Sequence, residues 1–492
     1  MAGKGVKKKG ITVSKDDDFS GWYSELVQKA ELADLRYNIK GFVCYMPWAV
    51  MSIKKMFAAY EKKLESYGHL PLIMPSLIPE SNFHLEAKHV EGFTPEVFWV
   101  TEAGDGKKKF EERLALRPTS ETALYKMFSL WIQSYNDLPF KRYQSGSVWR
   151  YESKMTRPFF RGREFHWIEA HNVFATLAEA EAQIIEDMKI THEMIGDEFA
   201  VPIIFFERPK WDMFPGAVKT HAADALTASG KVIQLPSTHL LGTNFSKPFD
   251  VSFVDKDGKK KYGYITCYGP AISRIYGAMI AIHGDDTGLV LPFELAPLQV
   301  VIVPILFDKT KDMVLSECER IEKMLSGSGY SVKVDARDDK SPGEKFSEWE
   351  MKGVPVRIEV GPKDVEKGQA VIVTRHDSNK EFVKKDDIEK TVLDISKKFT
   401  GQLKEKQAKN FDGRLIDCET FSELEKAVAD NNMVRCGFCS MELPGEACAD
   451  AIKDKTGAEV RGKRVGKEDK KFAKCVVCGK PAKETVYVAK SY

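Results

Sequence analysis

The segment Lys141–Arg163 constrains the fold of this chain most strongly, because it carries seven lysines and arginines against a single acidic residue. Its flanks, Ser147–Glu152 and Glu164–Glu169, alternate their side chains as strands do, and Pro158 and Gly162 lie in the loop between them. Charges at this density are costly to bury without partners. The pattern therefore predicts a long hairpin that offers its cations to a ligand or to solvent.

The two predicted strands present charges and aromatic rings together. Residues two apart in a strand share a face, so Arg150 lies beside Glu152, and Arg163 lies beside Phe165 and Trp167. A guanidinium fork is suited to phosphate, and an aromatic ring can stack on a base. The hairpin is therefore a candidate nucleotide site, and the alternative is a surface hairpin whose arginines are solvated.

Length and charge limit the remaining possibilities. At 492 residues the chain is too long for a single core, and about two to four domains are expected. The net charge is only +2, so a nucleic-acid partner would have to meet local basic patches. No apolar run reaches the length of a membrane span, and residues 1–18 predict a flexible basic leader without an apolar signal core. We therefore expect a cytoplasmic protein that does not contact a membrane.

Five of the nine cysteines lie in the last 57 residues of the chain. Their spacing favours a metal site over disulfides, since two pairs have the form Cys-x2-Cys and tetrahedral coordination needs four thiolates. Spacing alone selects the two Cys-x2-Cys pairs and leaves one cysteine over. The five candidates are Cys436, Cys439, Cys448, Cys475 and Cys478.

From Gln299 onward short apolar segments alternate with amphipathic ones. Strands are predicted at Gln299–Leu306, Val332–Ala336, Val354–Val360 and Gln369–Thr374, and helices at Thr310–Leu325, Gly343–Lys352 and Asp386–Leu403. This order predicts a small mixed α/β domain of its own.

Several motifs resemble those of class II aminoacyl-tRNA synthetases. Val148-Trp-Arg-Tyr-Glu152 followed by Arg161-Gly-Arg-Glu-Phe165 resembles motif 2, and Gly269–Ala278 resembles motif 3. A helix leading into Leu70–Pro75 resembles motif 1, with Pro75 as the motif proline. The loop Arg117-Pro-Thr-Ser-Glu121 resembles the substrate-recognising loop of the prolyl members. The chain is thus similar over nearly its whole length to the archaeal/eukaryotic-type prolyl-tRNA synthetase family.

The resemblance implies a multidomain protein of α+β and α/β type. An antiparallel class II sheet flanked by helices would form the catalytic domain over residues 19–297. A mixed α/β anticodon-binding domain would follow over 298–404, and a small zinc-binding α/β domain over 405–492. The implied reaction is activation of L-proline by ATP to prolyl-adenylate, with transfer to the 3′ end of tRNA(Pro).

The resemblance also implies residue roles, carried over position by position. Arg150 and Arg274 are the expected catalytic residues, holding the α- and γ-phosphates while Mg²⁺ bridges the pyrophosphate. The expected ATP-binding residues are Arg150, Glu152, Arg161, Phe165, Gln234, Ser237 and Arg274. The expected proline-binding residues are Thr119, Glu121, Arg150, Trp167 and His239. Around Gln234 the chain departs from the family pattern, because Leu235-Pro236 replaces a glycine pair and Ser237-Thr238 replaces Thr-Ser.

Three further expectations follow from the resemblance. Glu350, Arg357 and Lys363 would read the two guanines of the proline anticodon. The family alignment selects Cys436, Cys448, Cys475 and Cys478 as ligands of a structural Zn²⁺, with Cys439 as the alternative ligand. The segment around Pro75 would build a homodimer interface.

Two other functions compete with this interpretation. A threonyl or another related class II synthetase shares the domain order, and a threonyl enzyme would need a catalytic zinc held by Cys and His within residues 100–290. A catalytically inactive paralogue that binds RNA is the second alternative. Such paralogues tend to lose the motif arginines, whereas Arg150 and Arg274 are both present.

Overall fold

The computed structural model describes residues 10–83, 85, 97–106, 108–153 and 155–492. The first half of the predicted leader, residues 1–9, lies outside the described residues. The second half is not a loose leader. Ile11 and Val13 pack against the main core, and Lys15 Nζ donates to the carbonyls of Ile282 and Gly284 at 3.0 and 2.6 Å.

A large sheet runs through the catalytic domain. Six of its strands are antiparallel neighbours, in the spatial order Ile204–Glu207, Lys219–Leu226, Lys231–Gly242, Tyr264–Gly269, Glu164–Phe174 and Phe140–Trp149. The short strand Leu70–Pro71 adds in parallel at the edge, next to Phe140–Trp149. Pro75, predicted to lie within this edge strand, comes after it in an exposed connection.

The cationic hairpin forms as predicted, but its strands extend further from the loop than the expected Ser147–Glu152 and Glu164–Glu169, beginning at Phe140 and ending at Phe174. Val148 pairs with Phe165 and Gly146 with Trp167, so the alternation of the two strands is the expected one. The first strand ends at Trp149, not at Glu152. Arg150 N still donates across the hairpin to the carbonyl of Arg163, and the chain turns beyond it, where Glu152 N donates to the carbonyl of Arg150.

Helices cover the large sheet and bury their apolar stripes against it. Within the catalytic domain they span Phe19–Lys29, Pro47–Ser66, Glu80–Phe83, Glu121–Trp131, Leu177–Thr191, Ser246–Phe249 and Ile272–His283. The helix Pro47–Ser66 starts at a proline, whose missing N–H costs nothing in the first turn. The helix Ile272–His283 is buried along most of its length, which fixes the position of the predicted motif 3 arginine.

Three small sheets accompany the large sheet in the catalytic domain. Leu77–Pro79, Lys108–Leu116 and Phe98–Ala103 form one, and Ser252–Val254 with Lys260–Tyr262 and Ala33–Asp34 with Cys44–Tyr45 form two hairpins. None of the helices in the described ranges is long and apolar enough to cross a membrane.

The second domain has a five-stranded sheet. Its spatial order is Val332–Val334, Val300–Pro304, Val356–Val360, Gln369–Thr374 and Lys380–Lys384, of which the last strand was not predicted. Its helices are Lys311–Gly327, Pro342–Met351, Pro362–Glu366 and Ile388–Asp412. The last helix continues past the expected boundary at residue 404, because Leu403, Gln407 and Phe411 keep its buried stripe in phase.

The C-terminal domain does not form a separate sheet. Its strands Leu415–Cys418, Met433–Phe438, Glu484–Ser491 and Glu459–Arg464 extend the catalytic sheet, since Arg464 pairs with Phe206 and Lys463 with Glu207. The helices Phe421–Ala429 and Glu446–Thr456 cover its own small core.

At the junction between the catalytic and C-terminal domains, one glycine should not tolerate a larger residue. Gly462 has φ +122°, and a Cβ there would lie 2.1 Å from the carbonyl oxygen of Glu207. Gly462→Ala should therefore lower the thermal unfolding midpoint markedly. Gly457→Ala is the matched control, since Gly457 also has positive φ but open space around it, so it should cost only about 1–2 kcal/mol. Equal midpoints for the two variants would contradict this packing.

Candidate active site

A cavity of about 230 Å³ opens on one face of the catalytic sheet. Residues from the substrate-recognising loop, the cationic hairpin, the strand Lys231–Gly242 and the helix Ile272–His283 line it together. Nine of the residues expected to bind ATP or proline lie on its wall: Thr119, Glu121, Arg150, Phe165, Trp167, Gln234, Ser237, His239 and Arg274.

Two arginines that are far apart in sequence face one aromatic ring in this cavity. The guanidinium carbons of Arg150 and Arg274 lie 5.3 and 5.9 Å from the ring centroid of Phe165. Backbone carbonyls orient both side chains, because Arg150 Nε donates to Pro118 and Arg274 Nε donates to Phe160, each at 3.0 Å. The geometry concentrates positive charge over the ring.

Electrostatics show that this cluster favours an anion. Burial, followed by the nearby charges of Arg150 and Arg161, lowers the pKa of Arg274 to about 10. A guanidinium destabilised in this way regains stability when a negative ligand enters. The cluster is therefore suited to a polyphosphate.

The opposite end of the cavity is acidic. Thr119 Oγ1 lies within hydrogen-bond distance of a carboxylate oxygen of Glu121 and of Glu169 Oε1, the latter at 3.1 Å. Burial and the neighbouring Glu169 carboxylate raise the pKa of Glu121 to about 7. Burial raises the pKa of Glu169 as well. Two buried carboxylates that share the Thr119 hydroxyl favour a cationic ligand that would let both ionise.

Glu169 was missed by the sequence analysis, although a signal was present. The hairpin alternation that puts Phe165 and Trp167 on one face continues to Glu169 and His171, and all four line the cavity. Glu169 also fixes the recognition loop, since Ser120 N donates to it at 3.1 Å and Ser120 Oγ donates to its other oxygen. Ser120 thus makes no side-chain cap for the helix Glu121–Trp131, which its place before that helix would ordinarily suggest.

His239 is held in a neutral state. Its Nδ1 bonds to Thr220 Oγ1 at 3.0 Å and its Nε2 to Ser237 Oγ at 2.9 Å, while its ring lies 4.5 Å from that of Phe214. Burial, then the positive charges of His221 and Arg208, lowers the pKa of His239 to about 3. His239 therefore contributes a polar but uncharged ring to the wall.

The expected ATP residues Glu152 and Arg161 lie outside the cavity wall. They are close to each other, with Arg161 Nη1 3.7 Å from Glu152 Oε2. Arg161 Nη2 also donates to the backbone carbonyl of Tyr492 at 2.7 Å, so the end of the chain packs against the motif 2 loop. These two residues belong to the rim of the site.

Arg208 is a buried cavity residue without a sequence signal. Its Nη2 donates to Asp224 Oδ1 at 2.7 Å and to Gln234 Oε1 at 3.2 Å. Its partners come from two strands of the catalytic domain and from the C-terminal domain, where the carbonyl of Arg461 accepts from Nη1 at 2.8 Å. Only the folded arrangement brings these residues together.

Besides the cysteines of the C-terminal domain, three residues of the cavity are potential metal ligands. Glu121, His171 and Cys267 each place one ligand atom within 4.8 Å of the others. Such a set could hold a metal ion, which is the feature that the threonyl alternative requires.

Of the three residues expected to read the anticodon, Glu350 and Arg357 lie together, and in the described part of the chain Lys363 is not paired with them. Arg357 Nη1 lies 2.7 Å from Glu350 Oε1, and its guanidinium lies 4.3 Å from the ring centroid of Phe346. Lys363 is exposed on the helix Pro362–Glu366, and within the described structure no ion pair joins it to Glu350.

The tail cysteines favour one of the two expected ligand sets. The sulfur atoms of Cys439, Cys448, Cys475 and Cys478 lie within 4.8 Å of one another, so the geometry favours the alternative ligand Cys439 over Cys436. Cys436 lies within the strand Met433–Phe438 and is fully buried in the apolar core, whereas Cys439 follows that strand in a turn. Four thiolates around zinc would be separated by about 3.8 Å, from Zn–S bonds near 2.3 Å. Cys439 and Cys448, at 3.7 Å, fit that spacing.

Comparison with known families gives three matches along the chain. Residues 98–283 match the tRNA synthetase class II core domain (G, H, P, S and T), and residues 299–395 match the anticodon binding domain. Residues 421–492 match the prolyl-tRNA synthetase C-terminal domain. These matches confirm the predicted fold class.

Full-length relatives agree with the family matches. The chain is 49% identical to the proline–tRNA ligase of Thermofilum pendens, over 99% of this chain and 100% of that protein. It is 39% identical to the proline–tRNA ligase of Methanosarcina mazei, over 99% of both chains.

A solved structure has the same fold over its whole length. The prolyl-tRNA synthetase of Giardia lamblia, in complex with prolyl-adenylate, superposes with a TM-score of 0.94 at 34% identity, over 98% of this chain and 100% of that chain. The motif resemblance found in the sequence is thereby confirmed, and the chain belongs to the prolyl-tRNA synthetase family of class II aminoacyl-tRNA synthetases.

Proposed function

We propose that this protein activates L-proline with ATP to form prolyl-adenylate and transfers the prolyl group to the 3′ end of tRNA(Pro). The observation that carries the proposal is the placement of Arg150 and Arg274 over one ring, in a cavity whose other end is acidic. The relatives named proline–tRNA ligase, and the similar structure that holds prolyl-adenylate, support the choice of amino acid.

The cationic end of the cavity receives ATP. Arg150 holds the α-phosphate and Arg274 the γ-phosphate, while adenine stacks on Phe165. Gln234 and Ser237 contact the nucleotide from the strand Lys231–Gly242, and Arg161 with Glu152 encloses it from the rim. Mg²⁺ bound to ATP would supply further neutralisation of the charge on the pyrophosphate.

The chemical step needs positioning and charge neutralisation more than proton transfer. A carboxylate oxygen of proline attacks the α-phosphorus in line, and the bond to the pyrophosphate oxygen breaks. Negative charge on the α-phosphate oxygens grows in the transition state, and Arg150 lies where it can stabilise that charge. The carbonyl of Pro118 keeps the guanidinium in place before substrate binds, so little reorganisation is required.

The acidic end of the cavity receives proline. The secondary ammonium of proline has two N–H donors, which Glu121 accepts with Thr119 beside it. Trp167 provides an apolar wall for the pyrrolidine ring, and His239 remains neutral and so does not repel the ammonium. Arg150 is also positioned near the proline carboxylate, at the junction of the two ends.

The other two domains have separate roles in this proposal. The Glu350–Arg357 pair, with Lys363 nearby in sequence, reads the guanines of the anticodon through their O6/N7 and N1/N2 edges. Cys439, Cys448, Cys475 and Cys478 would hold a structural Zn²⁺, which would link the segments of the C-terminal domain that carry them.

The protein acts as a cytoplasmic homodimer that pairs through the segment around Pro75. The edge strand Leu70–Pro71 supports this interface, and Ile73 beside it is 94% exposed. A bare apolar side chain at a sheet edge is stabilised when a second copy covers it.

The overall reaction is tested by amino-acid-dependent ATP–pyrophosphate exchange. Proline alone among the twenty amino acids should support strong exchange by the wild-type protein. Arg150→Ala should reduce the exchange rate by about 10²–10³-fold, the loss typical when one charge-stabilising donor is removed. Exchange that depends on threonine would favour the threonyl alternative, and absence of exchange would favour the inactive paralogue. Near wild-type exchange in Arg150→Ala would refute the role of that arginine.

Proline affinity should depend on pH through Glu121. Its raised pKa of about 7 means that the group is largely protonated at pH 6 and ionised at pH 8. Because the ammonium needs the carboxylate, the KM for proline should fall by about tenfold as the pH rises between these values. Glu121→Gln should flatten that profile, while the KM for ATP serves as the internal control. A wild-type profile without this slope would contradict the assignment.

Metal binding distinguishes the two candidate ligand sets. Cys439→Ser should lose bound zinc, measured by elemental mass spectrometry, and should lower the thermal unfolding midpoint, because metal binding stabilises the fold it requires. Cys436→Ser should retain about one zinc per chain, since that thiol lies in the core and outside the cluster. The reverse pattern would restore the ligand set selected by the family alignment.

A further inference from the structure

A buried ionic cluster connects the C-terminal domain to the substrate cavity. It consists of Asp224 and Arg208 in the catalytic domain and Arg461 in the C-terminal domain, each 4% exposed or less. Arg461 Nε donates to Asp224 Oδ2 at 2.7 Å, and Arg461 Nη2 donates to Oδ1 at 3.2 Å. This bidentate pair crosses the boundary between the two domains.

The same carboxylate also holds a residue of the cavity wall. Asp224 Oδ1 accepts from Arg208 Nη2 at 2.7 Å, and that nitrogen also donates to Gln234 Oε1 at 3.2 Å. Asp224 and Gln234 face each other across neighbouring strands. Two side chains, Asp224 and Arg208, therefore lie between Arg461 and Gln234, and each step is a hydrogen bond.

Backbone contacts also hold Arg461 and Arg208 next to each other. Arg208 Nη1 donates to the carbonyl of Arg461 at 2.8 Å. The strand that carries Arg461 pairs with the catalytic sheet, through Lys463 with Glu207 and Arg464 with Phe206. Arg461 is thus connected to Arg208 in two ways. Its side chain binds Asp224, which also binds Arg208, and its carbonyl accepts directly from Arg208.

We propose that Arg461 is a positioning residue for the substrate cavity, acting through Asp224 and Arg208 on Gln234. Two guanidinium groups share one carboxylate, so neither oxygen of Asp224 is fully available to Arg208. When Arg461 is removed, Asp224 binds Arg208 with both oxygens and draws it away from Gln234. The amide of Gln234 then loses its fixed orientation toward the ligand. The C-terminal domain accordingly sets the geometry of the catalytic cavity, in addition to any role of its metal.

The inference rests on the proposed function, because its test reads substrate binding in the exchange reaction. Arg461→Ala should raise the KM for ATP or for proline by about five- to twentyfold, with kcat changed less than about threefold, a loss of roughly 1–2 kcal/mol of binding. Arg461→Lys should restore part of the effect, since an ammonium can bind Asp224 but cannot do so with two parallel bonds.

A double-mutant cycle separates positioning from simple destabilisation. If Arg461 acts through Gln234, Arg461→Ala should add little to the KM change of Gln234→Ala. Additive changes in the double variant would overturn the inference, while wild-type exchange with proline would leave the proposed function intact. Should Arg461→Ala fail to fold, the same cycle with Arg461→Lys decides the outcome.

Arg435→Ala is the matched control. Arg435 also makes ion pairs in the C-terminal domain, with Asp417 and Asp469 at 2.8 and 3.2 Å, but both partners belong to that domain. Its removal should lower the unfolding midpoint and leave both KM values unchanged. A KM increase equal to that of Arg461→Ala would show that any weakening of the domain perturbs the cavity, and would overturn the specific path.

Discussion

The placement of Arg150 and Arg274 against one ring is the constraint on which the rest of the site depends. Two like charges in a partly buried cavity repel each other, and the fold offsets that repulsion with carbonyl dipoles from Pro118 and Phe160. Holding both side chains in this way leaves the cluster attractive to a polyanion. The catalytic sheet supplies the rigidity, because one arginine follows the hairpin strand and the other lies on the buried helix Ile272–His283.

The same cavity also contains two acidic side chains. Glu121 and Glu169 both lie within hydrogen-bond distance of Thr119 Oγ1, and burial raises the pKa of both carboxyl groups. A substrate with one cationic and one anionic group is stabilised when it lies between the two ends. Proline has this charge distribution, and its carboxylate then lies where it can meet the α-phosphate of ATP.

The parts of the site that local alternation governs could be predicted from sequence. Phe165 and Trp167 were expected on one face and line the cavity, and the same rule extended by two steps would have included Glu169. Contacts between residues far apart in the sequence could not be predicted from local alternation. Arg208 meets Asp224 and Arg461 only because the catalytic and C-terminal strands join in one sheet, which no spacing in the sequence indicates.

The tail cysteines also show that sequence spacing alone does not identify every residue of a site, even for residues close together in the chain. Five thiols in the right spacing predicted a metal site, but the choice among them depended on where a strand ends. Met433–Phe438 keeps Cys436 in the apolar core, and Cys439 just beyond it joins the cluster. Likewise, the helix Ile388–Asp412 crosses an expected domain boundary because its buried stripe stays in phase.

The most direct test of the account is a crystal structure of the protein with a non-hydrolysable analogue of prolyl-adenylate. The account predicts adenine on Phe165, the linking group within hydrogen-bond distance of Arg150, and the pyrrolidine nitrogen on Glu121. An analogue bound with its amino acid at the arginine end, or outside this cavity, would contradict it.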